Sequence, residues 1–202
     1  MHHTFDAIMC FFWVVTYLFV LIGTMKYRYP VFPLAMQFFT LSNELAVLLY
    51  FVKTDVIFNY AVAAYLCWGV LEIAILIAIA RTGFYKTKHI VSHFVATIAF
   101  SGPVFWLLTA FDSMLFICYF FAFFGELFWF VEIFRKNYPI KAITLMAFVS
   151  KFLADGFAVP AYFNRGYLLI DCVCVLLPLI DLAFIVIWFV RRKQGSICAE
   201  SK

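Results

Sequence analysis

The chain has 202 residues, 67% of them hydrophobic, with a mean hydropathy of +1.02 and a net charge of +4. That composition excludes a soluble domain built on a large core, since no polar stretch is long enough to fold alone. It also argues against a nucleic-acid partner, because the basic residues sit in short loops beside apolar runs, where they set membrane orientation.

The predicted fold is all-α, a polytopic integral membrane protein of seven transmembrane helices. A span needs about 20 apolar residues. Charged, Pro and Gly breaks place the spans near 7–25, 31–52, 57–80, 90–110, 113–134, 141–162 and 167–190, with connections of a few residues. Residues 1–190 then form a single transmembrane domain and 191–202 a cytoplasmic polar tail. The start, MHHTFD, lacks a basic n-region and the first apolar run is followed by Lys26 and Arg28, so that run reads as a retained span.

Asp112 gives only a weak break between the fourth and fifth spans, and charge bias fixes the count. With seven spans, one side holds Lys26, Arg28, Arg81, Lys86, Lys88, Arg135, Lys136, Lys141, Arg191, Arg192, Lys193 and Lys202, and the other only Lys53 and Arg165. Twelve basic residues against two predict an external N-terminus and a cytoplasmic C-terminus. An offset of 109 residues relates Phe11-Phe12 to Phe120-Phe121, Tyr29-Pro30 to Tyr138-Pro139, and Leu71-Glu72-Ile73-Ala74 to Ile180-Asp181-Leu182-Ala183. Either shared membrane composition or a 3+1+3 parallel repeat, with span 4 as linker, would produce this pattern.

Span 2 carries Glu44 well inside its apolar length, with Gln37 and Thr40 seven and four residues before it on the same helical face. A carboxyl there costs about 2.5–3.5 kcal/mol on insertion scales, so it faces the bundle interior and marks a functional site. Glu72, Glu126, Asp155 and Asp181 are the other in-span acids, and Lys151 is the in-span base. Lys151 and Asp155 are spaced i,i+4, so the simplest reading of Asp155 is an ion pair. The six cysteines, Cys10, Cys67, Cys118, Cys172, Cys174 and Cys198, show no metal or redox spacing.

Aromatic residues make up 22% of the chain, and several share helical faces with these acids. Tyr65 and Trp68 precede Glu72 by seven and four residues, Tyr119 and Phe123 precede Glu126, and Trp188 follows Asp181 by seven. Phe-rich helices filling a core in lipid would produce the same pattern. A cavity with carboxyls and aromatic walls also suits carbocation chemistry: burial favours the neutral acid form, which can donate a proton, and ring faces stabilise positive charge without quenching it. Pro178 and Pro103 should bend spans 7 and 4, and His93, Thr97 and Ser101 form a modest polar stripe in span 4. The sequence has no DDxxD, Gly-rich phosphate loop, GxSxG or HExxH. Span 7 carries no lysine for a retinal Schiff base.

Several segments together resemble the small seven-span, membrane-bound terpene cyclases of fungal meroterpenoid and indole-diterpene pathways and their bacterial relatives. They are Phe12-Trp13-Val14-Val15-Thr16-Tyr17, the Arg28-to-Glu44 spacing, Trp68 with Glu72, Ser150-Lys151-Phe152-Leu153, and Ile180-Asp181-Leu182 before Trp188. Where that family has an Asn and a Trp before its second-span glutamate, this chain has Thr40-Leu41-Ser42-Asn43.

The resemblance implies Glu44 and Asp181 as catalytic acid/base groups, with Glu72 tuning them or sharing the proton. Tyr17, Gln37, Thr40, Tyr65, Trp68, Glu126, Lys151 and Trp188 would line the substrate cavity. The implied reaction protonates an alkene or epoxide on a lipophilic prenyl substrate that arrives from the bilayer, with no metal or other cofactor. The implied location is the endoplasmic reticulum in a fungus or the plasma membrane in a bacterium. Two rivals stand beside it: a proton-coupled transporter with a 3+1+3 repeat, and a non-catalytic assembly subunit.

Overall fold

In the computed structural model, residues 2–55, 59–111, 114–163 and 168–200 are described, without the side chains of residues 2–3, 111, 114–117 and 195–200. Asp112, Arg165, Lys202 and the side chain of Cys198, each used above, lie outside the described residues. Seven helices follow in chain order: α1 His2–Tyr27, α2 Leu34–Lys53, α3 Tyr60–Thr82, α4 Thr87–Phe111, α5 Met114–Glu132, α6 Ala142–Tyr162 and α7 Leu168–Glu200. Among the described residues six of them, all but α5, are long and apolar enough to cross a membrane. The protein is a helical integral membrane protein.

Local chemistry sets several boundaries. The Asn59 side chain caps α3 by accepting from the N–H groups of Ala61 and Val62 at 2.9 and 3.1 Å. Gly83, at φ 71°, ends the same helix in the left-handed region that a residue with a Cβ resists. The residues expected as a polar tail are helical as far as Glu200. With no proline after Pro178, α7 continues through residues 191–200 as part of a 33-residue helix, about 50 Å long at 1.5 Å per residue. Arg191 anchors this stretch by donating to the backbone carbonyl of Ile133 and, at 3.5 Å, to that of Lys136.

Helix adjacency closes a ring in the order α3, α1, α6, α7, α5, α2 and back to α3, with α4 packed mainly on the outer side of α2. The end of the ring carrying the α1–α2 and α5–α6 connections is filled by rings: Tyr29 meets Tyr138 at 5.8 Å and Phe84 at 5.0 Å, and Phe32 meets Trp129 at 5.1 Å. Tyr29 donates to Glu132 at 2.8 Å, and Glu132 also pairs with Arg135 at 3.0 Å. Burial, reinforced by that carboxylate, pushes the Tyr29 phenol up, so it remains a donor at neutral pH.

Helices α1 and α6 approach closely at Gly23, where a Cβ would lie 3.0 Å from Ile143 Cγ2 and 3.3 Å from Val31 Cγ2. Gly23→Leu should therefore overpack this contact and lower stability by about 1–3 kcal/mol, read as a fall in the unfolding midpoint in detergent. Gly102→Ala, whose added Cβ meets nothing within 4 Å, should leave the midpoint unlowered.

Candidate functional site

The interior of the ring holds two polar groups with a cavity beside them. The first group joins α1, α2 and α3. Tyr17 donates to Glu44 Oε1 at 2.8 Å across the ring. The Thr40 hydroxyl lies 2.5 Å from Glu72 Oε1 and 3.1 Å from the Met36 carbonyl; having one proton, it serves the carboxyl, the shorter contact. Gln37 Nε2 donates to the Glu72 backbone carbonyl at 3.2 Å. Glu44 and Glu72 lie close enough to interact electrostatically. All five side chains are buried, and Glu44 Oε2 and Glu72 Oε2 have no hydrogen-bond partner among the described residues.

The second group joins α5, α6 and α7. Lys151 donates to Asp155 and Asp181 at 2.7 Å each, and also to Glu126. Lys151, Glu126 and Asp181 are fully buried, and Asp155 nearly so. The ammonium also lies 5.1 Å from the ring centroid of Trp13 on α1, a cation–π contact. The carboxylate oxygens of Glu126, Asp155 and Asp181 lie within 4.8 Å of one another, a spacing that could hold a metal ion. Lys151 contacts all three, so its ammonium already supplies a cation there, and a metal would have to displace it.

Beside these groups lies a cavity of about 140 Å³. Its walls include Trp13, Tyr17, Tyr65, Trp68, Tyr119 and Tyr162, with Thr40, Asn43 and Glu44 contributed by α2. Asp155 also lines it and belongs to the Lys151 group. Asp6 stands at the outer end, eleven residues from Tyr17 on α1, or about 16 Å along the helix axis. There Asp6 accepts from Tyr60 at 2.6 Å and from Tyr162.

Of the residues expected at the site, Tyr17, Thr40, Glu44, Tyr65 and Trp68 are brought together around the cavity. Gln37 and Glu72 sit behind Thr40, outside the lining. Lys151, Glu126 and Asp181 also lie outside it, with Asp155 and Trp13 forming the wall on their side. Trp188 is remote from the cavity: two helical turns beyond Asp181, it is buried with its indole N–H donating to Thr144 at 3.2 Å and Arg192 over its ring at 5.1 Å. Asp155 does pair with Lys151, as the i,i+4 spacing implies, but Lys151 is shared with two further acids and Asp155 also faces the cavity.

Sequence reasoning missed Asp6, Met9, Cys10, Asn43, Cys118 and Tyr162 as lining residues. A signal was present for the α1 set: Asp6, Met9, Cys10, Trp13 and Tyr17 recur at three- and four-residue steps, one continuous helical stripe.

Comparisons of the chain with protein-family models, curated proteins and solved structures give no match.

Lys151→Met would leave three buried carboxyl groups without their cation. It should destabilise the protein by about 3–5 kcal/mol, read by chemical unfolding in detergent, and adding Glu126→Gln with Asp181→Asn should recover part of the loss. Unchanged stability in the single variant would show that the cluster is not a structural tie.

Proposed function

We propose that the protein is a membrane terpene cyclase, in which Glu44 protonates an alkene or epoxide at the end of a lipophilic prenyl chain. The feature that carries this assignment is the Glu44 carboxyl. One oxygen is oriented by Tyr17, the other has no hydrogen-bond partner among the described residues, and the residue lines a cavity with aromatic walls.

A cavity of about 150 Å³ accepts a benzene-sized group, so this one fits the reacting end of the chain and the first ring formed, while the remainder extends through the opening. In the alkene case, a C–H bond forms as the Glu44 O–H bond breaks, and the next alkene of the chain attacks the resulting cation. Trp13, Tyr65 and Trp68 line the cavity, and aromatic rings stabilise such a charge. Loss of a C–H proton to a carboxylate ends the sequence.

Asp155, paired with Lys151 and facing the cavity, is the acceptor best sited for that last step. Asp181 then acts as a positioning residue through Lys151, and Glu72 through Thr40. The substrate enters from the membrane.

The finer architecture in this proposal is seven spans with an external N-terminus and a cytoplasmic C-terminus, supported by the basic-residue asymmetry. It also includes a 3+1+3 parallel repeat. Exchanging α1 with α5, α2 with α6 and α3 with α7 turns the ring order into itself, rotated by three places, and leaves α4 as the linker. The same symmetry supports the second reading, a proton-coupled carrier whose solute site lies between the halves.

In microsomes given epoxidised farnesyl or geranylgeranyl substrates, Glu44→Gln should lower turnover by about 10²–10⁴-fold, the usual contribution of a positioned acid. Tyr17→Phe and Asp155→Asn should each leave measurable but reduced turnover. Full activity in Glu44→Gln would reject the assignment, and proton-driven solute uptake into liposomes without cyclised product would favour the carrier. For topology, a glycosylation acceptor fused at the N-terminus should be modified in a eukaryotic host and one fused at the C-terminus should not.

A further inference from the structure

We infer that the cavity is a binding site for lipophilic organic ammonium ions, with the cationic head against Glu44 and the hydrocarbon tail toward the opening. The inference rests on the cavity and does not depend on the proposed reaction.

Three carboxyl side chains, from Asp6, Glu44 and Asp155, line the cavity, and among the described residues no basic one does. Their environments differ. Asp6 accepts from two tyrosines and Asp155 from Lys151. Glu44 lines the cavity and is only 3% exposed, and its Oε2 has no hydrogen-bond partner among the described residues. Neighbouring Asn43, also on the lining, contributes a second buried acceptor without a partner, Oδ1. A buried site with open acceptors favours a ligand that brings a donor or a positive charge.

The walls select the kind of charge. A small hydrated metal ion needs several oxygen ligands at short range, whereas this cavity offers ring faces. Tyr65 and Trp68 meet edge to face at 4.8 Å and both line the cavity, and Tyr17 and Trp13 complete the wall. Aromatic faces around a carboxylate recognise alkylated ammonium groups, whose charge is spread over methyl and methylene hydrogens and is weakly hydrated. The Lys151 ammonium, held among carboxylates and lying over the ring of the lining residue Trp13, is an example of this chemistry beside the cavity. A volume of about 140 Å³ suits a trimethylammonium or small cyclic ammonium head, being close to the size that takes benzene.

The test uses the full chain in nanodiscs of zwitterionic lipid, with empty nanodiscs subtracted. The probes are hexyltrimethylammonium and its neutral carbon isostere, 2,2-dimethyloctane, followed by calorimetry and by quenching of tryptophan fluorescence. The ammonium should bind saturably at one site per chain and at least tenfold more tightly than the isostere. Glu44→Gln and Trp68→Leu should each weaken it by tenfold or more, and Ala122→Phe, which fills the cavity from α5, should abolish it. Glu132→Gln, outside the cavity, should leave it unchanged.

Equal affinity for the neutral isostere would overturn the inference, as would undiminished binding to folded Glu44→Gln or to Ala122→Phe. Should Glu44→Gln not fold, Trp68→Leu and Ala122→Phe decide the matter by the same criteria. Ammonium binding without any cyclised product would uphold this site and reject the reaction proposed above; cyclisation with no ammonium binding would do the reverse.

Discussion

One ammonium group shared by three carboxyl groups in the middle of a hydrocarbon-facing bundle is the constraint on which the rest of this structure hangs. Charges of this kind are tolerated in a membrane only when each has a partner inside the protein. Lys151 supplies that partner for residues on α5, α6 and α7 at once, so the three helices cannot rotate independently without stranding a charge. The gain is specificity of arrangement rather than raw stability, because desolvation of the four groups offsets much of their attraction. Trp13 extends the same tie to α1, which brings the aromatic stripe of α1 to the cavity wall.

The helices themselves were legible from the sequence, because length, hydropathy and charged breaks act locally. The expected spans agree with the observed helices to within a few residues at most ends, and the larger departure, the continuation of α7 to Glu200, arises where polar residues ended the apolar run without ending the helix. The site was legible in part. Spacing placed Tyr65 and Trp68 on the face of Glu72, and it placed Gln37 and Thr40 on the face of Glu44. A helical face is wide, however, and spacing alone does not say which residues on it meet a cavity and which meet a neighbouring helix. Thus Thr40 reaches the cavity while Gln37, three residues earlier, turns to the α3 backbone. The convergence of Glu126 and Asp181 on Lys151 depends on helix adjacency between distant segments, about which local pattern is silent. Asp6 was overlooked because an acid near a helix end needs no explanation beyond water, although its stripe continued to Tyr17.

Under the proposed repeat, Tyr17 corresponds to Glu126 and Glu72 to Asp181, each pair 109 positions apart. The two halves then place polar side chains at matching depths but use them differently. In the C-terminal half a lysine pairs with them, whereas among the described residues no cation enters the N-terminal group; Glu126 and Asp181, like Glu44 and Glu72, each keep one oxygen without a hydrogen-bond partner there. Asp155 is the member of the lysine cluster that also lines the cavity.

The closure at Asp6 bears on kinetics. Three helix ends, from α1, α3 and α6, meet there through one carboxylate that accepts from Tyr60 and Tyr162. Anything that passes this end of the cavity must break or bypass those two contacts, and hydrogen bonds to a charged group are worth about 1.5–3 kcal/mol each. An opening barrier of that origin slows arrival and departure by the same factor, so it leaves equilibrium affinity unchanged while it lengthens residence time. Under the proposed reaction, slow departure would retain a cationic intermediate until its last proton is removed.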